Sequence, residues 1–220
     1  CTLESLDFEN KTDKVAVDHI EASTKTHLNN EKFVVSLGAE HTVTLGFFKA
    51  HLEKHPGIGI LQIDAHSDLR QSYNGNPYSH ASVLARIHDL DVDLYQIGIR
   101  AQCKEEAELI RSSSRINTWY AHQIAYNKHW QDDVLAKLPS KIYLTIDADG
   151  FDPSVIPAVG TAEPNGLFWN ETLELLKKTA KEKNIIGFDI VECAPTKGNI
   201  LSEYTLAKLA YRIIGYIEAA

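Results

Sequence analysis

The chain has 220 residues, 44% of them hydrophobic, and a formal net charge of −8. That length can bury a large core, no apolar run reaches the ~20 residues of a membrane span, and the acidic balance argues against nucleic acid or an anionic membrane as a partner. Its cysteines are only Cys1, Cys103 and Cys193, which argues against a disulfide framework or a cysteine zinc site and favours the cytoplasm.

Short apolar strands alternate with helical patterns along the chain. Strands are predicted at 32–38, 57–64, 93–100, 115–120, 141–147 and 184–192. Helices are predicted at 41–54, 79–90, 104–113, 170–183 and 202–217. This alternation is typical of βαβ units, whose right-handed crossovers place helices on both faces of a sheet. We therefore predict a three-layer α/β/α fold with a central, mostly parallel sheet, formed as one domain over residues 1–220.

Polar side chains collect where the predicted strands end. Ligands of open α/β sheets bind outside the carboxyl ends of the strands. Eight polar residues fall in such regions: His41, Asp64, His66, Asp68, His80, Asp147, Asp149 and Glu192. In an extended segment Asp64, His66 and Asp68 would point to one side. Any one of these residues alone is equally well explained as a helix cap or turn residue, but the eight together indicate a site.

The metal-binding part of this set contains four Asp and two His and no thiolate. Such donors suit Mn²⁺, Mg²⁺, Fe²⁺ or Co²⁺ better than structural Zn²⁺. Four carboxylates exceed what one divalent ion needs, whereas two ions about 3.5–4 Å apart carry four positive charges and acidify a shared water. The composition of the set therefore predicts a dinuclear metal centre.

Three segments resemble the metal-site signatures of the ureohydrolases, the family of arginases and agmatinases. They are GAEHT at 38–42, DAHSD at 64–68 and DADGFDP at 147–153. The resemblance also includes SHAS at 79–82 and DIVECAP at 189–195. Three separated motifs in the family's order make this resemblance specific, and it extends from about residue 33 to the end of the chain.

The resemblance implies two Mn²⁺ ions per chain and hydrolysis of a guanidino C–N bond with release of urea. One ion would be held by His41, Asp64, Asp68 and Asp147, and the other by Asp64, His66, Asp147 and Asp149. Asp68 would also orient the attacking hydroxide, Glu192 would bind the guanidinium group, and His80 would return a proton to the leaving amine. The plainer interpretations are a solvated helix-start histidine at His80 and a surface-paired carboxylate at Glu192. Relatives commonly form trimers or hexamers, so a homo-oligomer is expected.

Three departures from the family pattern concern loops. Ala39 and Asn165 stand where the family usually has glycine; Asn tolerates positive φ better than most residues. The family's N-terminal strand and substrate-side loops are not recognised in this sequence, so the domain over 1–220 is expected to lack them. None of these departures removes a predicted metal ligand.

The loop at 69–80 guides the choice of substrate. It lacks the Asn- and Ser-rich pattern with which arginases hold the amino-acid end of arginine, and it resembles the agmatinase branch. Agmatine, a small cationic guanidino compound that would give putrescine and urea, is therefore the first expected substrate, with Glu163 meeting its far amine. Arg70 would suit a carboxylate, so formimidoylglutamate and guanidino acids stay open, with arginine third.

Three other classes of function also stay open. A two-metal phosphoesterase would use a similar ligand set but usually adds a phosphate-binding loop, and none is found. The metal-dependent deacetylases share the fold but use a single zinc with a different ligand order. A ureohydrolase-like subunit that binds metal without turnover would not need Glu192 and His80, which this chain retains.

Overall fold

The structure is a computed structural model that describes all 220 residues. Its strands are β1 (Val35–Leu37), β2 (Gly59–Ile63), β3 (Leu94–Ile99), β4 (Ile116–Tyr120), β5 (Lys141–Asp147) and β6 (Asn184–Val191). Its α-helices are α1 (Asp13–Asn29), α2 (Val43–Lys54), α3 (Val83–His88), α4 (Lys104–Ser112), α5 (Ala121–Ile124), α6 (Trp130–Lys137), α7 (Trp169–Glu182) and α8 (Leu201–Glu218). None of these helices has the length and apolar character that crossing a lipid bilayer demands.

The six strands form one sheet in the order β1-β6-β5-β2-β3-β4, and all five neighbouring pairs are parallel. The predicted fold class is confirmed, and each predicted strand is present. The strand predicted at 32–38 is shorter, because only Val35–Leu37 pairs with β6 at the edge of the sheet. The helix predicted at 79–90 begins as a 3₁₀ turn, His80–Ser82, and its α-helical part ends at His88.

Helix α1 has no counterpart among the predicted elements. Its buried face contains only Val17, Ile20, Thr24 and Leu28, so its apolar stripe is thin and interrupted by a polar residue. Thr24 is compatible with burial because its hydroxyl donates to the Ile20 carbonyl oxygen at 2.8 Å. The helix is stabilised by packing, with Val17 in a cluster that also contains Phe48 of α2.

The sheet separates two apolar cores, and alternate strand residues enter opposite ones. Leu61 and Ile63 belong to the core that contains α6, α7 and α8. Ile60 and Tyr143 belong to the core that contains α1, α2 and α3. The same alternation directs every second residue near the carboxyl ends of β2 and β5 towards the start of α2. The fold thereby fixes the side of the sheet on which the predicted site lies.

Candidate metal centre

The register of the central strands brings the predicted ligands together. β2 and β5 are parallel neighbours with Ile63 opposite Ile146. Asp64 and Asp147 each follow by one residue, so they lie level at the same edge of the sheet. His41 lies between β1 and α2, and the strand order carries it to the same edge.

His41 is at the centre of the first group of ligands. Its Nδ1 atom lies 3.1 Å from Asp64 Oδ2 and 2.9 Å from Asp68 Oδ2. Asp147 Oδ2 lies 3.4 Å from the same nitrogen. All four residues are buried, so these three carboxylates converge on one nitrogen out of reach of bulk water.

His66 is at the centre of the second group. Its Nδ1 atom lies 3.1 Å from Asp149 Oδ2 and 3.7 Å from Asp64 Oδ1. Asp64 is thus the residue common to the two groups, His41–Asp64–Asp147 and Asp64–His66–Asp149. The structure brings all six sequence-predicted ligands together. Asp147, predicted to serve both ions, lies in the first group and accepts a hydrogen bond from the Asp149 backbone N–H at 2.9 Å.

Burial and crowding shift the pKa values of these groups. Burial, with the nearby charge of Asp64, raises the pKa of Asp68 to about 7 and raises that of Asp147 well above its usual value. Although burial opposes an imidazolium, the carboxylates of Asp149 and Asp64 raise the pKa of His66 to about 11. The cluster therefore balances its charges with protons, which divalent cations can replace.

The buried ring of His41 provides a test of whether these residues fit a metal. Its Nε2 atom lies 3.0 Å from Thr145 Oγ1, and that hydroxyl donates to Asp189 Oδ1 at 2.6 Å. Because the hydroxyl hydrogen is used on Asp189, Thr145 can only accept from His41, so the neutral ring carries its hydrogen on Nε2. Nδ1 is buried without a hydrogen-bond partner, so in the neutral ring its lone pair would face three carboxylates. A cation resolves this arrangement, and the thiolate-free donor set fits a hard divalent ion.

Two residues of the site have strained backbones. Asp68 has φ 53° and Glu192 has φ 63°, values in the left-handed region that non-glycine residues rarely adopt. Glu192 is fixed from both ends: its backbone N–H donates to the Ala39 carbonyl at 2.8 Å, and its Oε1 accepts from the His41 N–H at 2.7 Å. Burial raises its pKa. Strain of this kind is concentrated at functional sites.

The predicted proton-transfer residue lies at an exposed rim. The His80 side chain is 49% exposed, and its Nδ1 lies 4.0 Å from Glu40 Oε2. Its ring centre is 5.5 Å from that of Tyr73. The Arg70 guanidinium carbon lies over the same tyrosine ring, 5.7 Å from its centre. Arg70 Nε also lies 3.9 Å from Glu106 Oε2. Arg70 is therefore engaged by neighbours within the protein.

The loop that carries Glu163 is tied down through its backbone. Arg100 Nη2 donates to two backbone carbonyls, that of Glu163 at 2.9 Å and that of Asp149 at 2.6 Å. In this loop Asn165 has φ 66°, so asparagine takes the left-handed turn as the sequence suggested. Ala39 lies outside the left-handed region, and its methyl group is accommodated without that strain.

A cavity of about 480 Å³ opens beside the rim. Its lining includes Glu40 and His80, Phe8 from the segment that leads into α1, and Asp13, the first residue of α1. Tyr78 also lines it. The segment before α1, for which no role is predicted from the sequence, therefore borders the same region as His80 through Phe8.

Several buried polar residues behind the ligands were missed from the sequence. Besides Thr145 and Asp189 they include Gln62 and Gln96, each at an interior position of a fully buried strand. The available signal was a polar residue within an apolar run, as in LQID and YQIG. Buried polar groups of this kind need partners, but the sequence does not say which ones.

The sequence of the chain is similar to those of known enzymes. Residues 1–215 match the arginase family. The chain is 42% identical over 187 residues to the N(1)-aminopropylagmatine ureohydrolase of Synechocystis sp., covering 84% of this chain and 61% of that protein. It is 34% identical over 208 residues to the agmatinase of Pyrococcus horikoshii, covering 92% and 68%. The chain thus spans roughly three-fifths to two-thirds of the length of these relatives.

Solved structures agree with this placement. The agmatine ureohydrolase of Thermoplasma volcanium superimposes with a TM-score of 0.84 at 31% identity, over 94% of this chain and 70% of that one. Arginase from Bacillus cereus, at 22% identity, shares the fold with a TM-score of 0.78 over 93% of this chain and 78% of its own.

Proposed function

The chain belongs to the arginase family, and from this premise we propose that it hydrolyses a guanidino C–N bond and releases urea. The observation that carries this proposal is the pair of Asp–His groups that share the buried Asp64, with Glu192 hydrogen-bonded to the backbone of His41 beside them. The substrate of a phosphoesterase or of a single-zinc deacetylase would not bring a guanidinium group for the Glu192 carboxylate to bind.

Two Mn²⁺ ions are the proposed cofactor. They would be held by His41, Asp64, His66, Asp68, Asp147 and Asp149. When bound, such a pair supplies a hydroxide nucleophile near neutral pH and neutralises the charge of the carboxylates.

Glu192 is proposed to bind and orient the guanidinium group. A carboxylate is the geometric partner of that planar, cationic fork. Glu192 is held in place by its backbone bond to Ala39 and by the His41 N–H, so it has little freedom to move when substrate enters. Asp68, 2.9 Å from His41 Nδ1, is proposed to orient the nucleophile by accepting a hydrogen bond.

His80 is proposed to return a proton to the leaving amine. An imidazole ring can both donate and accept a proton, as this step requires. Its half-exposed position allows exchange with solvent after each turnover, which the buried His41 and the less exposed His66 do not offer as readily.

Two guanidino amines compete as the proposed substrate. Agmatine fits the loop at 69–80, which has no pattern for a carboxylate. N(1)-aminopropylagmatine is the second candidate, because the cavity beside His80 has carboxylates of Glu40 and Asp13 in its lining and could hold an additional cationic arm. The similarity to the Synechocystis enzyme of that name supports the second candidate.

Urea release after loading with Mn²⁺ tests the proposal. Agmatine, N(1)-aminopropylagmatine, arginine and a guanidino acid would be compared at equal concentration, with metal content measured on the same sample. Formimidoylglutamate, which has no guanidino group, would be followed by release of formamide. Urea from either of the first two, with two Mn²⁺ per chain, is expected. Glu192→Gln should keep both ions and raise KM for the amine substrate. Bound metal without hydrolysis of any compound would contradict the proposal.

A further inference from the structure

A row of side-chain hydrogen bonds, partly buried at Thr118 and fully buried from Gln96 onwards, leads across three strands to Asp64. Thr118 on β4 donates from Oγ1 to Gln96 Oε1 at 3.0 Å, and Gln96 Nε2 on β3 donates to Gln62 Oε1 at 2.7 Å. Gln62 Nε2 on β2 then donates to Asp64 Oδ2 at 2.7 Å. Gln62 and Gln96 are fully buried and directly opposite each other in the sheet. We call these three residues, Gln62, Gln96 and Thr118, the amide ladder.

Two backbone carbonyls fix the direction of the amide ladder. Gln96 Nε2 also donates to the Ser67 carbonyl at 2.8 Å, and Gln62 Nε2 also donates to the His66 carbonyl at 3.2 Å. A carbonyl can only accept, so each amide must turn its NH₂ group towards it. Reversing either amide would put two acceptors together inside the sheet, where an unmatched polar group is costly. Gln62 therefore presents a donor to Asp64.

The orientation of Asp64 matters because it is the residue shared by the two metal groups. Its Oδ2 atom receives the Gln62 amide and lies 3.1 Å from His41 Nδ1. Its Oδ1 atom receives the His66 backbone N–H at 2.6 Å and lies 3.7 Å from His66 Nδ1. One oxygen thus faces each group, and rotation of this carboxylate would turn at least one oxygen away from its group.

We propose that Gln62 and Gln96 are positioning residues that hold the Asp64 carboxylate with one oxygen directed to each half of the metal centre. Thr118 completes the arrangement by occupying the carbonyl oxygen of Gln96. An apolar side chain would fill either strand position without needing partners, so packing gives no reason for two fully buried amides. This inference rests on the proposed dinuclear centre.

Gln62→Met is the direct test, because methionine has a similar length and shape but donates no hydrogen bond. Metal-free protein would be titrated with Mn²⁺ and the free ion followed by electron paramagnetic resonance. We expect two ions in the parent chain and an affinity loss of about 10–100-fold in Gln62→Met. Gln131→Met is the matched control: this buried glutamine of α6 donates to the Glu171 carbonyl at 3.0 Å on the other side of the sheet, and its loss should leave Mn²⁺ affinity unchanged.

Gln96→Met separates positioning from direct contact, because the Gln96 side chain donates to Gln62 and Ser67 and not to Asp64. Its loss would leave Gln62 Oε1 without a donor and Gln62 held only through its NH₂ group, so we expect a smaller loss of Mn²⁺ affinity, about 10-fold at most. Wild-type affinity in both folded variants would overturn the inference. If Gln62→Met does not fold, Gln96→Met decides alone, and if neither folds, Thr118→Val decides through a few-fold loss or its absence.

The inference and the proposed function fail in different ways. A parent chain that binds two Mn²⁺ ions, loses affinity in the ladder variants and yet releases no urea would contradict the function and support the amide ladder. Normal Mn²⁺ uptake by the ladder variants, with urea release intact, would contradict the amide ladder alone. A parent chain that takes up no Mn²⁺ would contradict both.

Discussion

Two histidines at opposite ends of α2 are equally buried, but their surroundings shift the pKa values of the two rings in opposite directions. His41, just before the helix, and His51, in its last turn, are both 0% exposed. Each ring has one nitrogen in a hydrogen bond: His41 Nε2 with Thr145 at 3.0 Å, and His51 Nδ1 with the Phe47 carbonyl at 2.8 Å. Each ring also has one buried nitrogen without a hydrogen-bond partner.

The difference lies in what surrounds the second nitrogen. Carboxylates surround that of His41 and, despite burial, raise the pKa of the ring well above its usual value. His51 packs against Gly187 and lies 4.8 Å from the ring of Tyr143, and burial lowers its pKa to about 4. A buried histidine is therefore no indication of a site by itself. The charges near its free nitrogen decide whether it can serve a cation or only fill the core.

Replacing each histidine by leucine should give the largest difference between the two positions, in both bound Mn²⁺ and the rate of urea release. His41→Leu removes a proposed ligand, so we expect at most one bound Mn²⁺ and a fall in urea release of roughly 10³-fold, equivalent to about 4 kcal/mol of lost transition-state stabilisation. His51→Leu should retain two ions and the parent rate. Metal analysis and initial rates on the same preparations measure this. Two ions and an unchanged rate in His41→Leu would remove the contrast.

The sequence identified His41 and left His51 aside for a sound reason. His41 follows a predicted strand within GAEHT, where parallel sheets collect ligands, whereas His51 lies inside a helical pattern. The sequence could not reveal the partners of Gln62 and Gln96, because these depend on which strands become neighbours. The left-handed backbone of Asp68 is likewise set by its surroundings, because its carbonyl oxygen accepts hydrogen bonds from two backbone N–H groups of α3. The position of polar residues at the ends of predicted strands predicted the ligands. The side chains that orient those ligands, such as Gln62 and Thr145, depend on tertiary structure.

The pH dependence of the free energy of unfolding should reveal the lowered pKa of His51. Its unfolded pKa is about 6.5, and its folded pKa is lowered to about 4. Between these values the unfolded chain binds the additional proton, so the free energy of unfolding should fall as pH drops from 6.5 to 4, by up to about 3 kcal/mol from this group. Denaturant unfolding of the parent chain and of His51→Leu across this range measures the effect. A difference between them that does not change with pH would contradict it.

The packing of His51 depends on a glycine in β6. A Cβ atom placed on Gly187 would overlap the His51 ring, so Gly187→Ala should lower the free energy of unfolding by about 1–3 kcal/mol through overpacking. Combining it with His51→Ala should remove most of that cost, which a double-mutant cycle would show. Gly215→Ala is the control, because this helical glycine has open space around its Cβ position and should lose no stability. Additive effects of the two substitutions would contradict the contact.

The smallest expected effect concerns the hydroxyl that orients His41. Thr145→Val keeps the side-chain shape but removes the oxygen that accepts from His41 Nε2–H, so the ring is less strongly held with Nδ1 towards the carboxylates. We expect Mn²⁺ affinity to fall about 10-fold, whereas Thr145→Ser, which keeps the hydroxyl, should bind Mn²⁺ nearly as the parent does. Thr179→Val removes an equally buried hydroxyl that donates to the Leu175 carbonyl at 2.8 Å and should leave Mn²⁺ affinity unchanged. Equal affinities for the valine and serine variants at position 145 would show that the carboxylates alone orient His41, and the contrast with His51 would then depend only on charge.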